Sequence, residues 1–293
     1  MEVFNILFNQ VSLGLLTSVL LLLLAYQFRY FSYPQEDLIK AKNISFYHVV
    51  IVFLIFIFTT LVLAPGISYF LYFLLIGTFP TIEILKTSEL IGNWISLFSS
   101  FLCFIFLIAY VQSIPLSNRK TILGLNFLKK KYMIKDVLVA MFSWIIAMPM
   151  IFTIDIFIEI IMRFFTNEKF QDQIAVVYLR KASNDTFLLV LTIFSIIVLI
   201  PFIEELLFRG LFQTWVKQYT SRTVGIFLSS ILFAIFHLAS SQGIANIEIF
   251  IVLFVFSLFL GFVYERQQSL FASISLHSIF NLISVIRIFT AYP

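Results

Sequence analysis

Three ionisable side chains stand close together in a hydrophobic stretch of the sequence, at Glu204, Glu205 and Arg209. A charged side chain at bilayer depth costs about 2.5 to 3.5 kcal/mol on insertion scales, so such residues in an apolar helix indicate a functional site. Glu205 and Arg209 are four residues apart and share one helical face, where each can neutralise the other. Glu204 points about 100° away. Its carboxylate is therefore free to face a cavity and to accept a proton from water.

Two histidines and an asparagine fall in later hydrophobic stretches, at His237 and at His277 with Asn281. His277 and Asn281 are four residues apart, so their side chains converge on one face. At 1.5 Å of rise per residue, Glu204 and both histidines lie roughly 10 to 21 Å below the membrane surface. We therefore expect them to meet in one site. A single histidine in a span is more often a helix-packing group, but its combination with the carboxylates favours chemistry.

These residue types support amide hydrolysis in two ways. In the first, Glu204 activates a water molecule, an imidazole orients it, and side-chain donors stabilise the oxyanion without an acyl-enzyme. In the second, Glu204, His237 and His277 bind a catalytic zinc ion, for which they are acceptable ligands. The sequence lacks the His-Glu-x-x-His pattern of zinc peptidases, which disfavours zinc, and zinc is kept as the alternative. The single cysteine, Cys103, is predicted to pack within a span.

The rest of the chain must hold these residues in lipid. Of its 293 residues, 61% are hydrophobic and 12% are charged, and the mean hydropathy is +1.05. A soluble domain carries roughly twice this charged fraction, and a membrane span needs about 20 apolar residues. Eight stretches qualify, of which the sixth is short: Leu7–Tyr26, Tyr47–Leu71, Leu90–Ser113, Val137–Ile161, Phe187–Phe212, Val224–Leu238, Ile247–Tyr264 and Phe271–Phe289. The predicted fold is an all-α polytopic transmembrane helical bundle of about eight spans with an intramembrane cavity.

The basic residues concentrate in alternate connections between these stretches. The third connection alone holds six of them: Arg119, Lys120, Lys129, Lys130, Lys131 and Lys135. An excess of Lys and Arg marks cytoplasmic loops, which places the odd-numbered connections in the cytoplasm and both termini outside. The long fourth connection, with four basic residues, weakens this assignment. The third connection, which includes Gly124 and Asn126, is either a basic amphipathic segment on an anionic leaflet or only a topology determinant.

Three short motifs share the order and spacing of a known family signature. Glu204-Glu205-x-x-x-Arg209, Phe233-x-x-x-His237 and His277-x-x-x-Asn281 resemble the signature of the CPBP family. This family comprises the CAAX-prenyl-protease-like and bacteriocin-processing intramembrane proteases, also called Abi proteins. The resemblance covers about Val198 to Ser284, and three motifs in sequence are specific where one alone is weak.

The resemblance implies a bundle of eight helices around a water-filled cavity that opens towards the cytoplasm. It assigns Glu204 and His237 to the attacking water, and it assigns the oxyanion to His277 and Asn281. Glu205 and Arg209 would hold Glu204 in place. The resemblance also implies a metal-free mechanism, so no cofactor is expected. We divide this single integrated membrane domain at residue 136: residues 1–136 form the N-terminal spans and the basic loop, and residues 137–293 form the protease core.

Other charged residues lie near the ends of spans. Asp155, Glu159 and Arg163 are spaced four apart and form a stripe near the outer end of the fourth span. This stripe is either an interfacial charge ladder or a cavity wall that carries protons. We interpret Glu248 and Glu265 as ordinary interfacial charges.

Three classes of function fit these features. The first is an intramembrane endopeptidase that cleaves a membrane-associated or lipidated peptide or protein. The second is a non-enzymatic membrane protein for bacteriocin self-immunity or signalling on the same fold. The third is a secondary transporter, which the lack of an internal repeat disfavours. The complete motif set favours the first class over a pure scaffold.

The expected partners follow from the same features. They are membrane lipids and a peptide or membrane-protein substrate. Nucleic acid is excluded because the basic residues fall between apolar runs, and nucleotide because the sequence has no Gly-rich phosphate loop. The expected location is a bacterial plasma membrane, in which the chain is a multi-pass integral protein. The oligomeric state does not follow from the sequence.

Overall fold

A computed structural model describes residues 2–33, 44–79, 89–127, 129–165, 179–180, 182–183 and 185–291. The regular structure of these residues is helical throughout. Nine helices follow one another along the described chain: α1 (Glu2–Gln27), α2 (Phe46–Ile76), α3 (Glu89–Ser113), α4 (Leu116–Leu123), α5 (Lys130–Phe165), α6 (Thr186–Tyr219), α7 (Arg222–Phe236), α8 (Ala245–Gln267) and α9 (Leu270–Ala291).

Seven of these helices are long and apolar enough to cross a membrane, namely α1, α2, α3, α5, α6, α8 and α9. Each of the eight predicted spans falls on one helix. The sixth, expected to be short, is α7, which has 15 residues. At 1.5 Å per residue α7 is about 22 Å long, less than a hydrocarbon core of about 30 Å. The all-α polytopic bundle predicted from the sequence is thus confirmed.

Polar residues set the start of several helices. Asp185 accepts hydrogen bonds from the Phe187 and Leu188 amides at 2.9 and 3.1 Å and caps α6. Ser221 accepts one from the Val224 amide at 3.3 Å and caps α7. A side-chain oxygen in this position satisfies backbone donors that have no partner within the helix. These caps fix the register of the two helices that carry Glu204 and His237.

Two of the long helices contain a wide, π-helical turn two residues before a proline. In α2 the wide turn is Thr59–Leu63 and precedes Pro65, and in α6 it is Ser195–Leu199 and precedes Pro201. Proline has no backbone N–H, and its ring displaces the carbonyl four residues earlier, so the preceding turn opens. Such turns are frequent at functional sites. Both border the site described below.

The odd-numbered connections gather at one end of the bundle. Arg266, in the last turn of α8, donates from Nε to the Tyr30 carbonyl in the first connection at 2.8 Å. Gln218, in the last turn of α6, donates to the Ile44 carbonyl in the first connection at 2.9 Å. These contacts place the odd-numbered connections at one end of the bundle, and their placement in the cytoplasm stays a prediction.

The third connection joins the same end through backbone contacts. Asn126 donates from Nδ2 to the Gln267 carbonyl at 3.2 Å and from its amide to the Gln268 carbonyl at 3.3 Å. Gly124 has φ +87°, and a Cβ atom there would lie 2.4 Å from the Gln268 carbonyl oxygen. We call residues 124–127 the latch. The latch docks on the turn between α8 and α9, an internal role that neither sequence interpretation of this connection included.

Glu265 is fully buried at this end, so its prediction as an ordinary interfacial charge is wrong. Lys217 Nζ lies 2.9 Å from Glu265 Oε2, and Arg222 Nε lies 3.3 Å from the same oxygen. Gln213 donates to Glu265 Oε1 at 3.1 Å. A buried carboxylate persists where opposite charges and donors compensate its lost hydration. The basic residues of the fifth connection therefore neutralise an internal acid as well as marking topology.

Candidate active site

The carboxylates of the site lie on a short regular segment of α6. Glu204 and Glu205 end the α-helical turn Ile200–Glu205, which stands between the wide turn Ser195–Leu199 and a second π-helical segment, Leu206–Gln213. Arg209 belongs to that second segment. The irregular turns on either side allow two adjacent acids and an arginine to point at different neighbours.

Pro201 explains the position of Asn281. In the first wide turn the Ile200 amide bonds to the Ser195 carbonyl, five residues back. The next residue in this register is Pro201, which has no N–H to donate to the Ile196 carbonyl. Asn281 Nδ2 donates to that carbonyl at 2.8 Å. The asparagine of α9 is thereby anchored to α6 two helical turns before Glu204.

Glu205 and Arg209 form the ion pair that their spacing predicted. Arg209 Nη1 lies 2.8 Å from Glu205 Oε1, and both side chains are fully buried. Arg209 also donates from Nη2 to Ser257 Oγ of α8 at 2.6 Å, and its guanidinium carbon lies 4.5 Å from the centre of the Phe233 ring. A buried arginine is tolerable when its charge is paired and its donors are used. The pair ties α6 to α7 and α8.

Glu205 also forms a hydrogen bond with His277. His277 Nδ1 lies 2.9 Å from Glu205 Oε1. A carboxylate only accepts, so Nδ1 carries the hydrogen of this bond. The resemblance implied that Glu205 and Arg209 support Glu204, whereas Glu205 bonds directly to His277 and Arg209 bonds to Glu205. Glu205 therefore fixes both the tautomer and the orientation of His277.

His237 is fixed in the same manner by a neutral partner. It ends α7, and its Nδ1 lies 2.8 Å from the Phe233 carbonyl oxygen, four residues earlier. A carbonyl also only accepts, so this Nδ1 carries a hydrogen as well. Both rings therefore turn their Nε2 atoms away from their anchors.

Both Nε2 atoms face the carboxylate of Glu204. His237 Nε2 lies 3.6 Å from Glu204 Oε1, and His277 Nε2 lies 3.7 Å from Glu204 Oε2. These distances exceed a direct hydrogen bond, so neither imidazole bonds directly to the Glu204 carboxylate. The structure thus brings Glu204, Glu205, Arg209, His237 and His277 together, as the sequence predicted. Asn281 instead bonds to the backbone carbonyl of Ile196 in α6, the helix that carries Glu204.

Exposure differs between the members of this cluster. The side chain of His237 is 30% exposed and that of Glu204 is 17% exposed, against 6% for His277 and none for Glu205. Glu204 and His237 are therefore accessible to a reactant, and the other two lie behind them. Glu204 also borders a cavity of about 180 Å³ within the bundle.

No group of three or more His, Cys, Asp and Glu side chains is arranged to hold a metal ion in the part of the chain that the structure describes. In the zinc alternative Glu204, His237 and His277 would be the ligands. Their donor atoms converge, but the two histidines contact different oxygens of one carboxylate at 3.6 and 3.7 Å. The choice between a metal-free site and zinc stays a prediction, and we derive no step through zinc.

The stripe on α5 lies apart from this cluster in its contacts. Arg163 donates from Nε to Glu159 Oε1 at 2.9 Å, and the Glu159 side chain is 30% exposed. Asp155 lies close to Glu248 of α8 and to Arg287 of α9. The stripe thus links α5, α8 and α9 near one end of the bundle. These contacts favour the charge-ladder interpretation.

Sequence reasoning missed the small hydroxyl residues around the site. Ser257 accepts from Arg209, and Ser99 and Ser100 of α3 line the cavity beside Glu204. Serine is common in membrane helices, where it also serves close packing, so its type alone carries little information. The proline two residues after the wide turn is the one local signal that pointed to the partner of Asn281.

Fold and site together define a polytopic membrane protein with a buried cluster of glutamates and histidines. Residues 186–283, which are 98 of the 293, match the family described as type II CAAX prenyl endopeptidase Rce1-like. The match spans α6 to the middle of α9 and confirms the resemblance to the CPBP proteases. It supports endopeptidase activity as the general class. No curated protein and no solved structure matches the chain.

Proposed function

We propose that the chain is an intramembrane endopeptidase in which Glu204 activates water to hydrolyse a peptide bond of a membrane-associated or lipidated substrate. The convergence of two imidazole Nε2 atoms on the Glu204 carboxylate, at 3.6 and 3.7 Å, carries this proposal. A water molecule that lies beside these atoms can hydrogen-bond to Glu204 and to an imidazole at the same time. The family match over α6 to α9 supports the peptidase class.

His237 orients the attacking water. Its Nδ1 is engaged by the Phe233 carbonyl, so the neutral ring offers a lone pair at Nε2. Glu204 accepts one proton of the water while His237 accepts a hydrogen bond from the other. With both hydrogens engaged, a lone pair of the oxygen points to the substrate carbonyl carbon. General base catalysis of this kind contributes about 100- to 10,000-fold.

His277 has the opposite role because its anchor is charged. When its ring is protonated at both nitrogens, Nε2 donates to the oxyanion and the Glu205 carboxylate at Nδ1 stabilises the positive charge. Asn281 uses one N–H on Ile196 and has a second with which to assist. Arg209 and Glu205 neutralise each other, so with His277 protonated the charge of Glu204, the base, is balanced as well.

The reaction balances without a covalent enzyme intermediate. Water oxygen bonds to the carbonyl carbon and gives its proton to Glu204. The C–N bond then breaks as Glu204 returns that proton to the leaving amine, and the products are a carboxyl and an amino terminus. One water is consumed in each turnover.

The surroundings of His237 favour a hydrophobic substrate. The Phe236 ring beside it lies 5.4 Å from the rings of Phe53 and Phe208, and Phe236 is 40% exposed. Aromatic walls of this kind bind apolar chains with little polar selection. We therefore propose a substrate with apolar segments, as in lipidated, signal-like or transmembrane peptides.

Glu204→Gln tests the proposal, because it retains the shape of the side chain and removes the base. Membranes that contain the native chain or this variant would be compared for newly formed peptide termini by mass spectrometry. We expect termini that are present with the native chain and absent with Glu204→Gln, while Glu159→Gln behaves as the native chain. Identical peptides from all three would favour the non-enzymatic immunity or signalling function.

A further inference from the structure

The cavity beside Glu204 has an unusually polar lining for the interior of an apolar bundle. Its volume is about 180 Å³, and it lies between α2, α3 and α6. We call it the hydroxyl chamber, and its polar lining residues are Thr60, Ser96, Ser99, Ser100, Cys103 and Glu204. An unpaired hydroxyl group is costly in lipid, so the hydroxyl groups that line the chamber need hydrogen-bond partners.

Hydrogen bonds between the helices supply partners for some of these hydroxyl groups. Ser99 donates to Thr60 Oγ1 at 3.1 Å, which leaves Thr60 with a hydroxyl hydrogen of its own to donate. Ser195 of α6 donates to Ser100 Oγ at 2.7 Å. The hydroxyl groups therefore form a network across α2, α3 and α6, and Thr60 can still donate into the chamber.

Glu204 needs such donors. Its Oε2 atom is buried and has no hydrogen-bond partner among the residues that the structure describes. A carboxylate remains ionised in a low-dielectric interior only when donors or opposite charges stabilise it. The chamber has room for several water molecules, since each occupies about 30 Å³ in the liquid. Water held there could donate to Glu204 and accept from Thr60.

The chamber leads away from the end that carries the latch. Ser96 is exposed on the surface of the bundle, and Ser99 and Ser100 are buried at 9% and 7% exposure. Ser96 lies roughly 10 Å along α3 from its first residue, at 1.5 Å per residue. That first residue follows the even-numbered second connection. Ser96 is therefore the chamber residue of α3 closest to the even-numbered second connection, and the chamber extends from it to Glu204.

We propose that the hydroxyl chamber is a water-binding site that supplies Glu204 from the end of the bundle opposite the latch. Its catalytic role depends on the proposed peptidase function, but its hydration does not. Glu204 would face the substrate and both histidines on one side and this store of water on the other. The water consumed by each hydrolysis would then arrive without crossing the bound substrate.

Thiol labelling tests hydration directly. The chain has one cysteine, so Cys103→Ala gives a background without thiols. Ser99→Cys and Ser100→Cys would each be placed in it, and Leu61→Cys would serve as the control. Leu61 follows Thr60, the partner of Ser99, and is 69% exposed on the outer surface of α2 at the same depth. Membranes would be treated with 2-aminoethyl methanethiosulfonate, and free thiols counted by mass shift.

A thiol must ionise to react, and it ionises in water far more readily than in lipid. We expect Ser99→Cys and Ser100→Cys to react at least about tenfold faster than Leu61→Cys, although they are more buried. If both react as slowly as Leu61→Cys, the chamber is dry and the proposal is wrong. This outcome is independent of peptidase activity, which Glu204→Gln tests separately.

The effect of the hydroxyl chamber on catalysis is measured separately, through kcat and KM. Thr60→Val with Ser99→Ala removes hydroxyl groups while the histidine side of Glu204 is untouched. We expect kcat to fall about tenfold at unchanged KM, since a supply of water affects the base and not substrate binding. Ser18→Ala, which removes a buried hydroxyl of α1 bonded to the Gly14 carbonyl, is the matched control. A change in KM alone would contradict a role in water supply.

Discussion

Glu205 and His277, on different helices and 72 residues apart, are joined by a hydrogen bond of 2.9 Å between Oε1 and Nδ1. The same oxygen lies 2.8 Å from Arg209. One carboxylate therefore serves as a counter-ion for α6 and as the orienting partner for α9. Glu204, the preceding residue, has no such partner among the residues that the structure describes, and it faces Nε2 of both histidines. Adjacent acids thus acquire different roles from different surroundings.

Removal of the base is the most direct prediction. Glu204→Gln should lower the rate of peptide cleavage by about 100- to 10,000-fold, because the amide cannot accept the proton of the attacking water. The helix should stay intact, since Glu204 Oε2 has no partner in the described chain. Rates would be measured with a peptide identified by the membrane comparison. A rate within a factor of two of the native value would contradict the assignment of the base.

Substitutions of Glu205 and Arg209 can distinguish an effect on stability from an effect on catalysis. Either Glu205→Gln or Arg209→Met alone leaves the other charge buried and unpaired, which costs about 3 to 5 kcal/mol. The double variant removes both charges, so we expect its thermal stability in detergent to recover most of that loss. Its activity should stay about 10- to 100-fold low, because His277 has lost its charged partner. A fully active double variant would mean that Glu205 has no part in orienting His277.

The sequence predicted the parts of the site that depend on helical periodicity. Four-residue spacing gave the Glu205 and Arg209 pair, and depth within spans brought Glu204, His237 and His277 together. The partner of His277 was not predictable, because a contact between α6 and α9 depends on how two distant helices rotate against each other. The prediction for Glu265 was wrong for a related reason. Its position at a span end indicated an interface, and only tertiary packing buries it with Lys217.

Asn281 carries a prediction that distinguishes an anchor from an oxyanion donor. Asn281→Ala should lower kcat by about 100- to 1,000-fold at unchanged KM if its second N–H stabilises the oxyanion. It also deprives the Ile196 carbonyl of its donor. Pro201→Ala restores a backbone N–H that can bond to this carbonyl. The double variant should therefore regain stability and not kcat. If it regains kcat, the asparagine is an anchor only.

Metal removal distinguishes the two mechanisms of hydrolysis. We expect 1,10-phenanthroline to leave the cleavage rate unchanged, because Glu204 and the histidines act on water without a Lewis acid. Elemental analysis of the purified protein should find less than about 0.1 zinc per chain, since a structural or catalytic zinc site binds tightly enough to survive purification. Loss of activity with the chelator and its return with Zn²⁺ would establish the alternative.

The latch gives a prediction about stability at a distance from the chemistry. Gly124→Ala should destabilise the protein by about 1 to 3 kcal/mol, because a backbone conformation with φ above zero is strained for alanine. The added Cβ would also lie 2.4 Å from the Gln268 carbonyl oxygen, which is backbone and cannot move aside. The turn between α8 and α9 would have to shift, and α9 carries His277.

Gly66→Ala is the matched control, because it should stabilise the protein whereas Gly124→Ala should destabilise it. Gly66 lies within α2, and a Cβ there would meet nothing within 4 Å. Alanine in a helix interior is more favourable than glycine by about 0.5 to 1 kcal/mol. Thermal unfolding of both variants in the same detergent would test the pair. Equal melting temperatures would show that the latch does not hold the α8 to α9 turn. A lower value for Gly124→Ala alone would show that the end of the bundle opposite the hydroxyl chamber contributes to the placement of α9.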